Sequence, residues 1–154
     1  MGPEIAPRRE SQQRERRYVS EYVSLAYPNR PVTFNLRLGQ PPQEMSVRYP
    51  YHNIDRLARV WKRFVDAVVV NSSEFVLIEA KIRRPVEAVG EILTYRELLY
   101  DTPELRPWGK LPIRAEMVCP VADPSLAHQF LRLDVQVKVY APAWVIDYLH
   151  EVNK

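Results

Sequence analysis

Phe64-Val-Asp-Ala-Val-Val-Val70, Asn71-Ser-Ser-Glu74 and Phe75-Val-Leu-Ile-Glu-Ala-Lys-Ile82 form the stretch on which the reading of this chain turns. Two runs of Val, Phe, Leu and Ile joined by four polar residues describe a hairpin. Their near-continuous apolar content predicts strands buried on both faces of a sheet. Asp66, Glu79 and Lys81 interrupt that apolar material. An unpaired buried ion costs on the order of several kcal/mol after relaxation, so charge retained there needs compensation. Residues two apart in a strand share a face, which places Glu79 and Lys81 in register with Phe75 and Leu77. Asp66, on the neighbouring strand, lies opposite them if its side chain faces the same way.

Two carboxylates converging within a few ångströms repel unless a hard cation such as Mg²⁺ sits between them, and such a cation also takes phosphate oxygen. Lys81 would orient or activate an attacking water and offset charge building on phosphorus, and the Ala80 carbonyl is a further candidate ligand. The expectation is metal-dependent cleavage of nucleic acid. A purely structural ion-pair cluster at a strand end is the open alternative.

Outward from the hairpin, the element order is α-β-β-β-α-β-α-β-α. Residues 1–10 read as a tail and 11–154 as one domain. A helix from about Ser11 to Tyr27 carries Tyr18, Val19, Tyr22, Val23, Leu25 and Ala26 as its apolar stripe, and Pro28-Asn29-Arg30-Pro31 stops it. Val32–Leu38 alternates with period two, as a half-buried strand does. A short strand is expected near Met45–Arg48, and residues 55–62 stand open between a helical turn and the approach to the next strand. After the hairpin, a helix is expected over Pro85–Tyr100 and a loop over 101–109. A strand at Ile113–Val121, a helix at Pro124–Leu133, a strand at Val135–Tyr140 and a helix at Ala143–Val152 complete the chain. A meander followed by crossover helices implies an α/β fold, a mixed central sheet with helices on both faces.

The 154 residues are enough for one domain with a real core, and 46% apolar content lies in the globular range. The single cysteine, Cys119, excludes an internal disulfide framework and a cysteine-rich zinc site; it reads as a small buried hydrophobe beside Met117 and Val118. No apolar run approaches the roughly 20 residues of a membrane span, and no secretory signal is evident, so a cytoplasmic or virion-associated location is expected. His52, His128 and His150 share no segment, and no P-loop, GxGxxG or GxSxG motif is present. Trp61, Trp108 and Trp144 read as core or surface anchors, with base stacking by Trp108 left open.

Net charge is only +3, but the basic residues are mostly arginine, 17 against 5 lysines among the 22. Arginine suits bidentate phosphate contact, although a GC-rich genome or a thermophilic host gives the same bias. Arg14, Arg16 and Arg17 in the first helix, Lys62 and Arg63 before the Asp66 strand, and Arg83 and Arg84 after Lys81 are the candidate nucleic-acid contacts. A solvated edge is the alternative for the last four.

An acidic-x-Lys triplet arises by chance about 0.6 times in a chain of this composition, so its context matters more than its presence. Asp66, twelve intervening residues, then Glu79-Ala80-Lys81 on an apolar hairpin resembles the PD-(D/E)xK nuclease superfamily, over roughly residues 15–141. Val65 stands where a proline usually precedes the motif aspartate. The resemblance implies a restriction-endonuclease-like αβββαβ core, here followed by a C-terminal strand and helix. It also implies a deoxyribonuclease that uses Mg²⁺ or Mn²⁺, with Asp66, Glu79 and Ala80 at the metal. An acidic residue on the first helix often joins such a site; Glu21 is the first choice and Glu15 the second. RecB-like members carry Gln-x-x-x-Tyr on the helix after the lysine strand. Glu91 and Tyr95 have that spacing, with Glu91 in place of Gln, and residues four apart share a helix face.

DNA is the implied partner, with a homodimer or a larger phage or repair assembly as the setting. Two readings rival the enzyme. One is a catalytically inactive protein of the same fold with a structural or nucleic-acid-binding role, for example a phage component. The other is a basic RNA-binding domain that needs no metal.

Overall fold

The computed structural model of the chain describes residues 6–39 and 63–154. Helix α1 spans Ala6–Ala26, starting five residues earlier than the sequence pattern suggests. Pro7 explains the difference, because its fixed φ and missing N–H suit the first turn of a helix. Tyr18, Val19, Tyr22 and Val23 form the buried stripe, whereas Leu25 is exposed. The chain leaves the helix through Asn29 in the left-handed region (φ 60°).

Strand β1 follows at Val32–Leu38, then β2 at Arg63–Asn71 and β3 at Glu74–Ala80. The β2–β3 turn is the pair Ser72–Ser73, with Ser72 at φ 60°, the positive φ that tight hairpins require. Helix α2 (Ala88–Leu98) is bracketed by 3-10 turns at Pro85–Glu87 and Leu99–Asp101. The stretch expected as a loop contains a further 3-10 segment, Pro103–Trp108. Strand β4 (Ile113–Cys119), helix α3 (Pro124–Arg132), strand β5 (Val135–Val139) and helix α4 (Ala143–Val152) follow. The Asp123 carboxylate caps α3 by accepting from the Leu126 N–H at 2.8 Å, with Pro124 in the first turn. The expected strand near 45–48 and residues 55–62 lie outside the described residues.

Among the described residues, five strands form one mixed sheet in the order β1-β2-β3-β4-β5. The pairs β1–β2 and β2–β3 are antiparallel; β3–β4 and β4–β5 are parallel, joined by crossovers that carry α2 and α3. On one face Leu77, Met117 and Cys119 pack with Ile92, Leu99 and Phe130. On the other, Val76, Ile78 and Val118 pack with Tyr18, Val19, Tyr22 and Val145. Both faces of the central strands are therefore covered, which is why their sequences read as continuous apolar runs. Each such side chain contributes roughly 1.5–3 kcal/mol on burial. Cys119 is wholly buried, as expected, and burial pushes its thiol up to about 11.

Regular alternation fails at one place. Val32 and Val69 pack on the α1/α4 face, whereas their same-parity neighbours Leu36 and Val65 pack on the α2/α3 face. Asn35 and Asp66 sit between them, and Asn35 is in the left-handed region at φ 49°. Phe34 still stands opposite Ala67 and Leu36 opposite Val65, so neither strand gains a residue and the two rotate together. That rotation sets the position of Asp66.

Candidate functional site

The β2–β3 ladder runs from Asn71–Glu74 to Ala67–Ile78 and then opens. One step further, Asp66 stands across from Glu79, and the side chains take over the role of the ladder. Glu79 Oε1 accepts from the Asp66 N–H at 3.0 Å, while Asp66 Oδ2 accepts from the Ala80 N–H at 2.9 Å. This reciprocal clasp satisfies two backbone donors that the parting strands leave free, and it commits one oxygen of each carboxylate. Lys81 is held by its own N–H, which donates to the Val118 carbonyl at 2.8 Å. Its Nζ lies 2.9 Å from Glu91 Oε2 of α2. Glu91 Oε2 is shielded from solvent, and the Lys81 ammonium is the charge that faces it.

The electrostatics follow from the packing. Burial holds Asp66 and Glu79 above the usual carboxylate range. For Glu79 the Asp66 charge is the next largest cause, and for Asp66 the Ala80 N–H opposes the rise in part. Glu15, one turn before Tyr18 and Val19 on α1, is also raised by burial. The Lys81 ammonium lowers the Glu15 value and Glu91 raises it, which places Glu15 within the same field. Burial would lower the Lys81 ammonium, but Glu91 and then Glu79 and Asp66 outweigh it and hold it above its ordinary value. Lys81 is therefore a permanent cation at neutral pH. Burial, then the charges of Glu79, Glu91 and Asp66, raise the Tyr95 phenol.

Asp66, Glu79, Lys81, Glu91 and Tyr95 thus come together where β2 and β3 part. Glu21 does not join them. Its carboxylate accepts from Trp144 Nε1 at 2.8 Å, Arg17 Nε at 2.8 Å and Tyr140 Oη at 3.2 Å. The Trp144 N–H is the main reason its carboxyl lies below the usual range. Glu21 belongs to the seam between α1 and α4, and Glu15 is the α1 acid at the site. The stripe contained that answer: Glu15 precedes Tyr18 by three residues and Val19 by four, extending the buried face by one turn, whereas Glu21 falls beside it.

Beside the acid pair, a pocket of about 450 Å³ opens between α1 and the β1–β2 pair, with Gln12, Glu15, Arg16, Phe34, Asn35 and Asp66 at its walls. Arg16 is exposed there. Arg14 and Arg17 are otherwise engaged, with their guanidinium groups 3.8 Å from the Tyr148 ring centre and 4.2 Å from the Trp144 ring centre. Arg63 is half-buried at the start of β2, within the field of Tyr95. Arg83 and Arg84 are exposed past β3, and Arg84, at φ 53°, lies 3.6 Å from Glu87. Lys62 lies outside the described residues.

A second polar cluster has no counterpart in the sequence reading. Glu116 of β4 is completely buried and accepts from Tyr22 Oη at 2.8 Å, Tyr27 Oη at 2.6 Å and the Arg114 guanidinium. Arg114 also donates to Glu74 Oε1 and to Tyr27 Oη, both at 3.0 Å. It ties the C-terminal half of α1 to β3 and β4.

Among the described residues, no three Asp, Glu, His or Cys side chains stand close enough to hold an ion together. A cation at the clasp would rest on the free oxygens of Asp66 and Glu79. That fits a small hard ion, which binds one or two carboxylates and fills its shell with water and phosphate. No helix among these residues is long and apolar enough to cross a membrane. Neither the models of known protein families nor the curated proteins contain a match to this chain.

Proposed function

We propose that this chain is a Mg²⁺- or Mn²⁺-dependent deoxyribonuclease of the PD-(D/E)xK kind, with a restriction-endonuclease-like core. The observation that carries the reading is the Asp66–Glu79 clasp at the parting of β2 and β3, with the Lys81 ammonium fixed beside it. The αβββαβ order and the antiparallel-then-parallel sheet support it. Asp66, Glu79 and the Ala80 carbonyl would hold the metal, which would supply positive charge for the phosphodiester oxygens.

The chain's own residues do the rest. Lys81 orients the attacking water by donating hydrogen bonds and offsets charge developing on the phosphate. Glu91 positions Lys81 through the ion pair, and Tyr95 packs the helix face that carries Glu91. DNA is the partner, and the setting is the cytoplasm or a virion. Cutting both strands requires a second site, which a homodimer provides.

The test is incubation of purified protein with linear, circular and branched DNA, with and without Mg²⁺ or Mn²⁺. Glu79→Ala and Lys81→Ala are each expected to lower metal-dependent cleavage by about 100-fold or more. Unchanged cleavage in either variant removes the assignment.

One observation favours a second reading, an inactive nuclease-fold protein with a structural or DNA-binding role. The Lys81–Glu91 ion pair and the two backbone hydrogen bonds of the clasp already give each of these side chains a partner within the protein. Calorimetry separates the two readings: the enzyme binds Mn²⁺ at a site that Asp66→Ala removes, and the inactive protein does not.

A further inference from the structure

We propose that the pocket between α1 and the β1–β2 pair is a nucleotide subsite that takes one unstacked nucleotide of single-stranded DNA beside the scissile phosphate. The inference rests on the nuclease reading and adds the form of DNA on which that site acts.

The size is right: about 450 Å³ falls within the range of roughly 300–1,000 Å³ typical of small-molecule sites. The walls are chemically divided in the way a nucleotide is. Phe34, an aromatic ring with 44% of its surface exposed, offers a face for a base, and Val19 adds apolar wall. Gln12 and Asn35 bring two neutral amides, each both donor and acceptor, as the hydrogen-bonding edge of a base requires. Arg16 brings a guanidinium for backbone phosphate. Asp66 belongs both to this wall and to the acid pair, so a nucleotide seated here brings its phosphodiester to the reacting groups.

The backbone supports the same assignment. Asn35 holds a left-handed φ of 49° inside a strand, where the alternation of β1 and β2 reverses. Such a conformation costs of order 1 kcal/mol or more and tends to collect at ligand sites. Here the rotation leaves Phe34, Asn35 and Asp66 together on one pocket wall. A base can lie on Phe34 only if it has left its own stack. A duplex interior does not supply such a base without paying to unstack it, whereas a single strand does.

The test is equilibrium binding by fluorescence anisotropy in EDTA, where no metal-dependent cleavage occurs. Labelled oligothymidylate is compared with a duplex of equal length. Single strands are expected to bind more tightly, and Phe34→Ala to weaken that binding by about 5- to 150-fold, the range for losing one stacked base. Phe34→Trp is expected to keep the affinity and to show emission quenched by the oligonucleotide, over the wild-type background of Trp61, Trp108 and Trp144. Circular dichroism checks that both variants fold.

Equal or tighter binding of the duplex, no binding of either DNA, or Phe34→Ala binding like the wild type overturns the subsite. The nuclease reading is judged separately, by Mg²⁺-dependent cleavage and its loss in Glu79→Ala. Phe34-dependent binding without cleavage leaves the subsite and removes the enzyme; Glu79-dependent cleavage with Phe34→Ala binding normally does the reverse.

Discussion

Replacing Glu79 by Gln should make the metal-free protein more stable, by an amount that grows with pH. Glu79 is 3% exposed, and its Oε1 accepts from the Asp66 N–H at 3.0 Å. Burial and the neighbouring Asp66 charge raise its proton affinity, so the folded carboxyl keeps its proton well above the value of 4.5 at which the unfolded chain releases it. The sign follows from linkage. A raised carboxyl contributes fully below pH 4.5, and its contribution is lost as pH rises from there towards the folded value. The slope is about 1.4 kcal/mol per pH unit, which amounts to about 3 kcal/mol between pH 4.5 and neutrality. That is a large part of a typical net stability of about 5–15 kcal/mol.

Gln keeps an oxygen for the Asp66 amide and cannot ionise, so the slope due to residue 79 disappears. Urea unfolding followed by circular dichroism in EDTA, from about pH 5 to about pH 8, measures the difference between variant and wild type. That difference should widen towards about 3 kcal/mol at neutrality. Adding Mn²⁺ to the wild type should narrow it again, because a cation bound by the ionised carboxylates stabilises the folded state by mass action. A difference that stays constant with pH, or a variant less stable at neutrality, would refute the account of the clasp.

Two further substitutions separate the acids of α1. Glu15→Gln should reduce cleavage by roughly tenfold or more while leaving the fold intact. Glu21→Gln should leave cleavage unchanged and cost within about 1 kcal/mol of stability through weaker contacts to Arg17, Trp144 and Tyr140. Cleavage assays and urea midpoints on both proteins decide this, and the reverse pattern would restore Glu21 to the site. Glu116→Ala removes the shared acceptor of Tyr22, Tyr27 and Arg114 from a fully buried position. A loss of about 3–5 kcal/mol is expected in the same unfolding assay, and a loss below about 1 kcal/mol would show that the cluster does not tie α1 to the sheet.

The hairpin, the helix positions and the two-sided burial of the central strands were legible in the sequence because they depend on local periodicity. Glu79 and Lys81 sharing a face with Phe75 and Leu77, and Glu91 sharing a helix face with Tyr95, also follow from periods of two and 3.6. Start and stop positions were less legible: Pro7 hides a helix start by resembling tail composition, and β4 ends at Cys119 rather than at Val121.

The sequence by itself determined that two carboxylates lie on adjacent buried strands with a lysine at the end of the second, since alternation and apolar content allow little else. Tertiary structure decided which other groups meet them. Glu15 rather than Glu21 faces the site because the rotation of α1 is set by Tyr18, Val19, Tyr22 and Val23 packing on the sheet. The parting of β2 from β3, the joint turn of β1 and β2 at Asn35 and Asp66, and the pocket beside them arise from contacts between distant segments. The burial of Glu116 has the same origin. No short-range period encodes such contacts, because their free energy comes from surfaces that meet only once the sheet and its helices are assembled.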